Sequence, residues 1–116
     1  MPAIERFLTG PRMSQAVIHG DTIYLAGQVT KEQAGDVAGQ TRVILAEIDR
    51  LLALCGSSKT RILSATIYLA DMKTFADMNK SWDAWAAPGA TPARATIESR
   101  LAGPEYLVEI AVIAAK

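Results

Sequence analysis

Arg94 and Glu109 are charged residues in runs with little room for charge. Arg94 lies in TPARATIE, residues 91–98, between Ala93 and Ala95. Glu109 interrupts YLVEIAVIAA, residues 106–115. An arginine presents five N–H donors in a planar fork that matches a carboxylate. A carboxylate removed from water is destabilising by several kcal/mol unless it is paired or neutralised. One reading is structural: an Arg94–Glu109 ion pair, or two charges at solvated sheet edges. The other is chemical. The small neighbours of Arg94 leave space for an anion, and Ala111 leaves space beside Glu109. This second reading requires both groups to face one cavity, and it fails if they point to opposite sides of a sheet.

Strands must carry these two groups. Ala93, Ala95 and Ile97 alternate with Arg94, Thr96 and Glu98, which predicts a strand over 93–99 behind the stiff Thr91-Pro92. A second strand is predicted over 106–114. There Val108, Ile110 and Val112 point one way, and Leu107, Glu109, Ala111 and Ile113 the other. Upstream, SQAVIH (14–19) and TIYLAGQV (22–29) flank Gly20-Asp21 and predict a β-hairpin. A short extra strand is expected at 4–8. Residues 37–55 predict a helix, because Thr41, Ile44, Leu45, Ile48, Leu51, Leu52 and Cys55 form one stripe before Gly56. ILSATIYLA, residues 62–70, predicts a strand with Leu63, Ala65, Ile67 and Leu69 on one side. A second helix is expected over about 74–86, capped by Asp71 or Thr74. Its apolar face is Phe75, Met78, Trp82 and Trp85, and Pro88-Gly89 ends it.

The order is ββαβαββ, an α+β sheet with two helices. Two helices cover one face of such a sheet, yet the last strand is largely apolar on both sides. The second face is therefore expected to pack against other copies of the chain. The 116 residues fit a single domain, 1–116, burying about two-thirds of its unfolded surface. Twelve basic residues balance twelve acidic ones, which weighs against nucleic acid as a partner and gives no electrostatic reason for membrane binding. Cys55 is the one cysteine, so there is no intrachain disulfide and no Cys-rich metal site. MPAIERFLTG does not read as a signal peptide, and no window approaches ~18 apolar residues. A cytoplasmic protein is expected.

Four blocks carry a resemblance over nearly the whole chain: YLAGQV (24–29), ILSATIYLADMKTFADMNKSWDAW (62–85), TPARATIE (91–98) and LVEIAVIAA (107–115). The chain resembles the reactive-intermediate deaminase family, RidA/YjgF, whose older names include L-PSP endoribonuclease. It looks most similar to the YoaB/TdcF-like branches. The resemblance implies a chorismate-mutase-like fold assembled as a homotrimer, with a central β-barrel, helices outside and active clefts between subunits. It places the carboxylate clamp on Arg94 and the residue that orients or activates water on Glu109. Gly27 falls on a glycine whose backbone lines the cleft, and Asn79 on a helix asparagine common in the family. Thr96 stands where a cysteine is often found and keeps a small hydroxyl, so Gly27, Asn79, Arg94 and Thr96 form the implied substrate-binding set. Two departures bear on the pocket. Met13 stands where many deaminating members have tyrosine, and Ala26 where serine is frequent. Tyr24 and Tyr106 are candidates to replace the lost phenol.

The implied reaction is hydrolysis of a 2-imino or 2-enamino acid, such as 2-aminoacrylate or 2-iminobutyrate, to the 2-keto acid and ammonia. No metal or organic cofactor is implied. Two other functions compete. A non-catalytic binder of small carboxylates is favoured by Met13 and Ala26. Endoribonuclease activity is disfavoured by zero net charge and by the lack of a histidine-based acid–base pair. The remaining residues have plainer readings. His19 is a hairpin surface residue, and Cys55, Met72 and Met78 fill the core. Trp82 and Trp85 anchor the second helix on the sheet. TGPR, residues 9–12, lacks phosphate-loop spacing.

Overall fold

The computed structural model describes residues 2–116. Six strands and two helices follow in chain order: β1 (Ile4–Thr9), β2 (Ser14–His19), β3 (Thr22–Leu25), α1 (Val37–Leu54), β4 (Ile62–Leu69), α2 (Phe75–Trp85), β5 (Ala93–Glu98) and β6 (Val108–Ala115). They form one mixed sheet, ordered β1-β2-β3-β6-β4-β5. β4 and β5 run parallel, and β6 runs antiparallel to both β3 and β4. Strands β3 and β4 therefore point the same way on either side of β6, and α1 and α2 are the crossovers that link parallel strands.

Each element begins and ends for local reasons. Gly20, at φ 63°, leads the two-residue turn that closes the β2–β3 hairpin between His19 and Thr22. Asp36 caps α1 by accepting a hydrogen bond from Gly39 N at 2.9 Å. The helix stops at Gly56, whose φ of 79° few other residues adopt cheaply. There Gly56 N donates to Ala53 O at 3.0 Å and Ser57 N to Leu52 O at 2.8 Å, the paired bonds of a Schellman ending. A 3-10 turn over Met72–Thr74 leads into α2. It is Asp71 that caps this turn, accepting from Lys73 N, while the Thr74 side chain caps nothing.

The core lies between the helices and one face of the sheet. Ile44, Leu45, Ile48, Leu51, Leu52 and Cys55 of the α1 side pack with Met78 and Trp82 of α2 on Ile23, Ile67, Leu69, Val108, Ile110 and Val112. Burial pushes the Cys55 thiol pKa up. Gln40 is a fully buried polar residue of α1. Its amide donates to Glu105 O at 2.9 Å and accepts from Leu107 N at 3.0 Å, which ties the helix to the approach of β6.

Two strand boundaries differ from the sequence reading by more than one residue, and one facing is reversed. β3 ends at Leu25 instead of running to Val29. β6 covers Val108–Ala115 instead of starting at Tyr106. Leu63 is exposed and Ile62 takes the core position in its place. The ladder of β4 with β6 shifts register between Ile62 and Ser64, so the bulge reverses parity at its start.

The opposite face carries no helix. Its rows run Tyr24–Ile113–Ser64–Ala93, Ala111–Thr66–Ala95 and Glu109–Tyr68–Ile97. Tyr24, Ile97 and Ile113 are exposed there. No helix of the single chain covers this face, which the sequence expects to pack against other copies.

Candidate active site

Arg94 stands beside Ala65 in the β4–β5 ladder, Thr96 beside Ile67 and Glu98 beside Leu69. Ala65, Ile67 and Leu69 are buried, so Arg94, Thr96 and Glu98 lie on the helix side of an edge strand. The exposed Arg94 guanidinium meets one stripe of α2 formed by Phe75, Asn79 and Trp82. Arg94 Nη1 donates to Asn79 Oδ1 at 2.8 Å. Its Cζ is 5.2 Å from the Trp82 ring centroid and 5.8 Å from that of Phe75. Among the described residues no carboxylate lies within salt-bridge distance of Arg94. Thr96 Oγ1 is buried on the same side without a hydrogen-bond partner among the described residues.

Glu109 stands across the ladder from Tyr68 on the open face, and both are half-buried. The two line a cavity of about 410 Å³ with Ser99, Arg100, Leu101 and Ala102. Gly27 closes on Glu109 from the other side. A Cβ there would fall inside the carboxylate, with Cγ at 3.3 Å, so the approach depends on glycine. The backbone reaches this position because the chain leaves β3 after Leu25 and returns at Gln28. Gln28 N donates to Ile110 O at 2.8 Å, and Ile110 N donates back to Gln28 O at 3.1 Å. The buried Gln28 side chain holds the detour, donating to Gln15 Oε1 at 3.0 Å and to Ala26 O at 2.9 Å.

The geometry corrects one expectation. Arg94 and Glu109 do not meet within one chain. β4 lies between their strands, Arg94 is level with core-facing Ala65, and Glu109 is level with outward-facing Tyr68. They point to opposite sides of the sheet, so the intrachain ion pair is absent, no single-chain cavity holds both, and the reading in which the two share one cavity fails for the single chain. Two separate clusters result instead: Arg94, Asn79 and Thr96 at the β5 edge, and Glu109 with Gly27 on the open face.

Of the candidate replacement tyrosines, Tyr24 is in the Ile113 row, and Tyr106 lines an adjoining cavity of about 710 Å³ that shares Ser99, Arg100, Leu101 and Ala102 with the Glu109 cavity. The tyrosine across the ladder from Glu109 is Tyr68. Met13 is exposed ahead of β2, and Ala26 follows β3. His19 is exposed and Cys55 is buried. Trp85 anchors α2 by donating to Asp49 at 2.9 Å, while Trp82 both fills the core and faces Arg94. The sequence reading passed over Gln28, Tyr68 and the contact of Phe75 with Arg94.

Residues 4–116 match the family model described as Endoribonuclease L-PSP. The chain belongs to this L-PSP family, also called YjgF/RutC. A RutC family protein of Haemophilus influenzae is 46% identical over 114 residues, 96% of this chain and 97% of the relative. The RutC family protein YoaB of Escherichia coli K12 is 47% identical over 104 residues, 90% of each chain. Among solved structures, a YjgF-family protein of Neisseria meningitidis superposes with a TM-score of 0.95 at 52% identity, covering 98% of this chain and 95% of its own. A Rid-family protein from Yersinia pestis superposes with a TM-score of 0.86 at 28% identity, covering 93% and 90%. The YjgF/RutC match spans Gly27, Asn79, Arg94, Thr96 and Glu109. No helix among the described residues is long and apolar enough to cross a membrane.

Proposed function

We propose that the protein hydrolyses the C=N bond of small 2-imino acids, giving the 2-keto acid and ammonia, in clefts formed between copies of the chain. The observation that carries this reading is Arg94: an exposed guanidinium, held in place by neutral groups and lacking an acidic partner among the described residues. Such a group is suited to the carboxylate of a small acid. Glu109 on the open face supplies the second half. A closed ring of copies brings the β5 edge of one chain against the open face of the next. This covers Ile97 and Ile113 and joins Arg94 of one copy to Glu109 of another.

In that cleft Arg94 binds the substrate carboxylate. Glu109 accepts a proton as water oxygen bonds to the iminium carbon, and the C=N π pair moves onto nitrogen. The resulting carbinolamine takes a proton on nitrogen, and its C–N bond breaks. Ammonia leaves as the hydroxyl gives up its proton and the C=O bond forms. Positioning provides much of the rate, because the iminium carbon is already electrophilic.

The test is a coupled assay in which an amino-acid oxidase generates the imine and keto-acid release is followed. Wild-type protein is expected to accelerate release. Arg94→Lys keeps the charge and loses the fork, and is expected to lower kcat/KM by about 100-fold, in line with a lost charge-assisted bidentate contact. Wild-type activity in Arg94→Lys rejects the carboxylate clamp. The absence of acceleration with both small and large imino acids rejects the deaminase reading. Binding of 2-oxobutyrate without turnover would favour the carboxylate-binding alternative, to which Met13 and Ala26 point.

A further inference from the structure

We infer that Phe75, Asn79 and Trp82 are positioning residues that hold Arg94 solely through neutral contacts, so that its whole charge stays available to an anion. The inference rests on the proposed reading of Arg94 as the carboxylate clamp and adds what sets the clamp's affinity.

An exposed arginine on an edge strand ordinarily samples many rotamers, and ordering it opposes ligand binding. Arg94 meets three groups spaced i, i+4 and i+7 on α2, which share one helix stripe. Asn79 Oδ1 accepts from Nη1 at 2.8 Å. The Trp82 and Phe75 rings lie 5.2 Å and 5.8 Å from Cζ, within the range of cation–π attraction. The three differ in how firmly they are held. Trp82 is buried at 5% exposure and is fixed by the core, whereas Phe75 is 39% exposed and forms a rim.

The chemistry of this holder is selective. Glutamate or aspartate is the ordinary partner of a surface arginine, and either would neutralise it. Two ring faces and an amide oxygen orient the guanidinium without a formal negative charge. The acids of α2, Asp77 and Asp83, and the neighbouring Glu98 make no salt bridge to Arg94. Glu98 instead accepts a hydrogen bond from Met72 N at 3.0 Å. An incoming carboxylate therefore meets an oriented cation that no carboxylate of its own chain, among the described residues, neutralises.

Asn79→Asp is the deciding variant, because it is nearly isosteric and gives Arg94 an internal counter-ion. Titration calorimetry with 2-oxobutyrate is expected to show at least about tenfold weaker binding, with an unchanged or raised thermal midpoint. Phe75→Leu keeps apolar volume at an exposed site and removes a ring. It is expected to raise KM by several-fold with kcat nearly unchanged, consistent with the modest size of an exposed cation–π contact. Trp82→Phe keeps a ring face and should stay nearer wild type than Trp82→Leu. Wild-type affinity in Asn79→Asp, or equal losses in Trp82→Phe and Trp82→Leu, overturns the inference. If wild-type protein binds 2-oxobutyrate but turns over no imine, the deaminase reading fails while the holder is still judged by these affinities. If imine turnover is present and Asn79→Asp keeps wild-type KM, the holder fails alone. If wild-type protein neither binds nor turns over, both are overturned.

Discussion

Glu109 owes its position to a residue without a side chain. Gly27 lies so close that any Cβ displaces the carboxylate, and the atoms displaced belong to the flexible end of Glu109. Gly27→Ala is therefore expected to fold with a near-normal thermal midpoint and to lose turnover, because the carboxylate moves and the backbone does not. Glu109→Gln is expected to lower kcat by about 100-fold or more, the scale of a lost general base, while calorimetry still detects 2-oxobutyrate bound to Arg94. An equal loss of binding and turnover would give Glu109 a role in docking. The two residues were legible in the sequence as charges out of place. Their relation was not. The parity of β6 gave the Glu109 side, but the side of Arg94 depends on a parallel register with β4, and nothing local in TPARATIE encodes that register. The stripe of α2 was legible too, since Phe75 and Trp82 fall at helical spacing. That Arg94 would lie against it follows from tertiary packing alone.

At the scale of elements, α1 shows why some boundaries can be read in advance. Its stripe has the helical period, Asp36 satisfies a first-turn N–H, and Gly56 accepts a positive φ. Asp36→Ala is expected to lower stability by about 1 kcal/mol, as loss of an N-cap does, measurable as a shifted urea midpoint at constant m-value. The affinity of the Arg94 cluster should stay unchanged, since the hydrogen bond removed is the one to Gly39 N and Arg94 is held by side chains of α2. β3 and β4 show the opposite case. β3 stops early because Gly27 must reach Glu109 and Gln28 must bridge to Ile110, both contacts far off in sequence. Ile62 and Leu63 exchange places through a bulge, and an unbroken alternation cannot reveal one. The insertion of β6 between β3 and β4 is likewise a long-range choice. The element list and the two helix-bearing crossovers were within reach of pattern; the strand order was not.

At the scale of the whole molecule, the open face and the split site bear on each other. A head-to-tail ring uses two different surfaces of each chain and closes on itself. Mixing Arg94→Ala and Glu109→Gln chains then tests the shared cleft directly. In equimolar mixed assemblies about a quarter of head-to-tail junctions pair an intact Arg94 with an intact Glu109, so co-refolded protein should recover activity that neither variant has alone. Sedimentation of an Ile113→Lys variant should show smaller species than the wild type, because a charge on the open face opposes the proposed packing between copies. No recovery on mixing would mean that Arg94 and Glu109 do not work together in a shared cleft. In the proposed shared cleft, placing Arg94 and Glu109 on opposite sides of a thin sheet also ties output to abundance. Diluted below its dissociation constant, the protein should lose specific activity faster than it loses fold, and a cell that makes little of it should hold folded chains that do nothing.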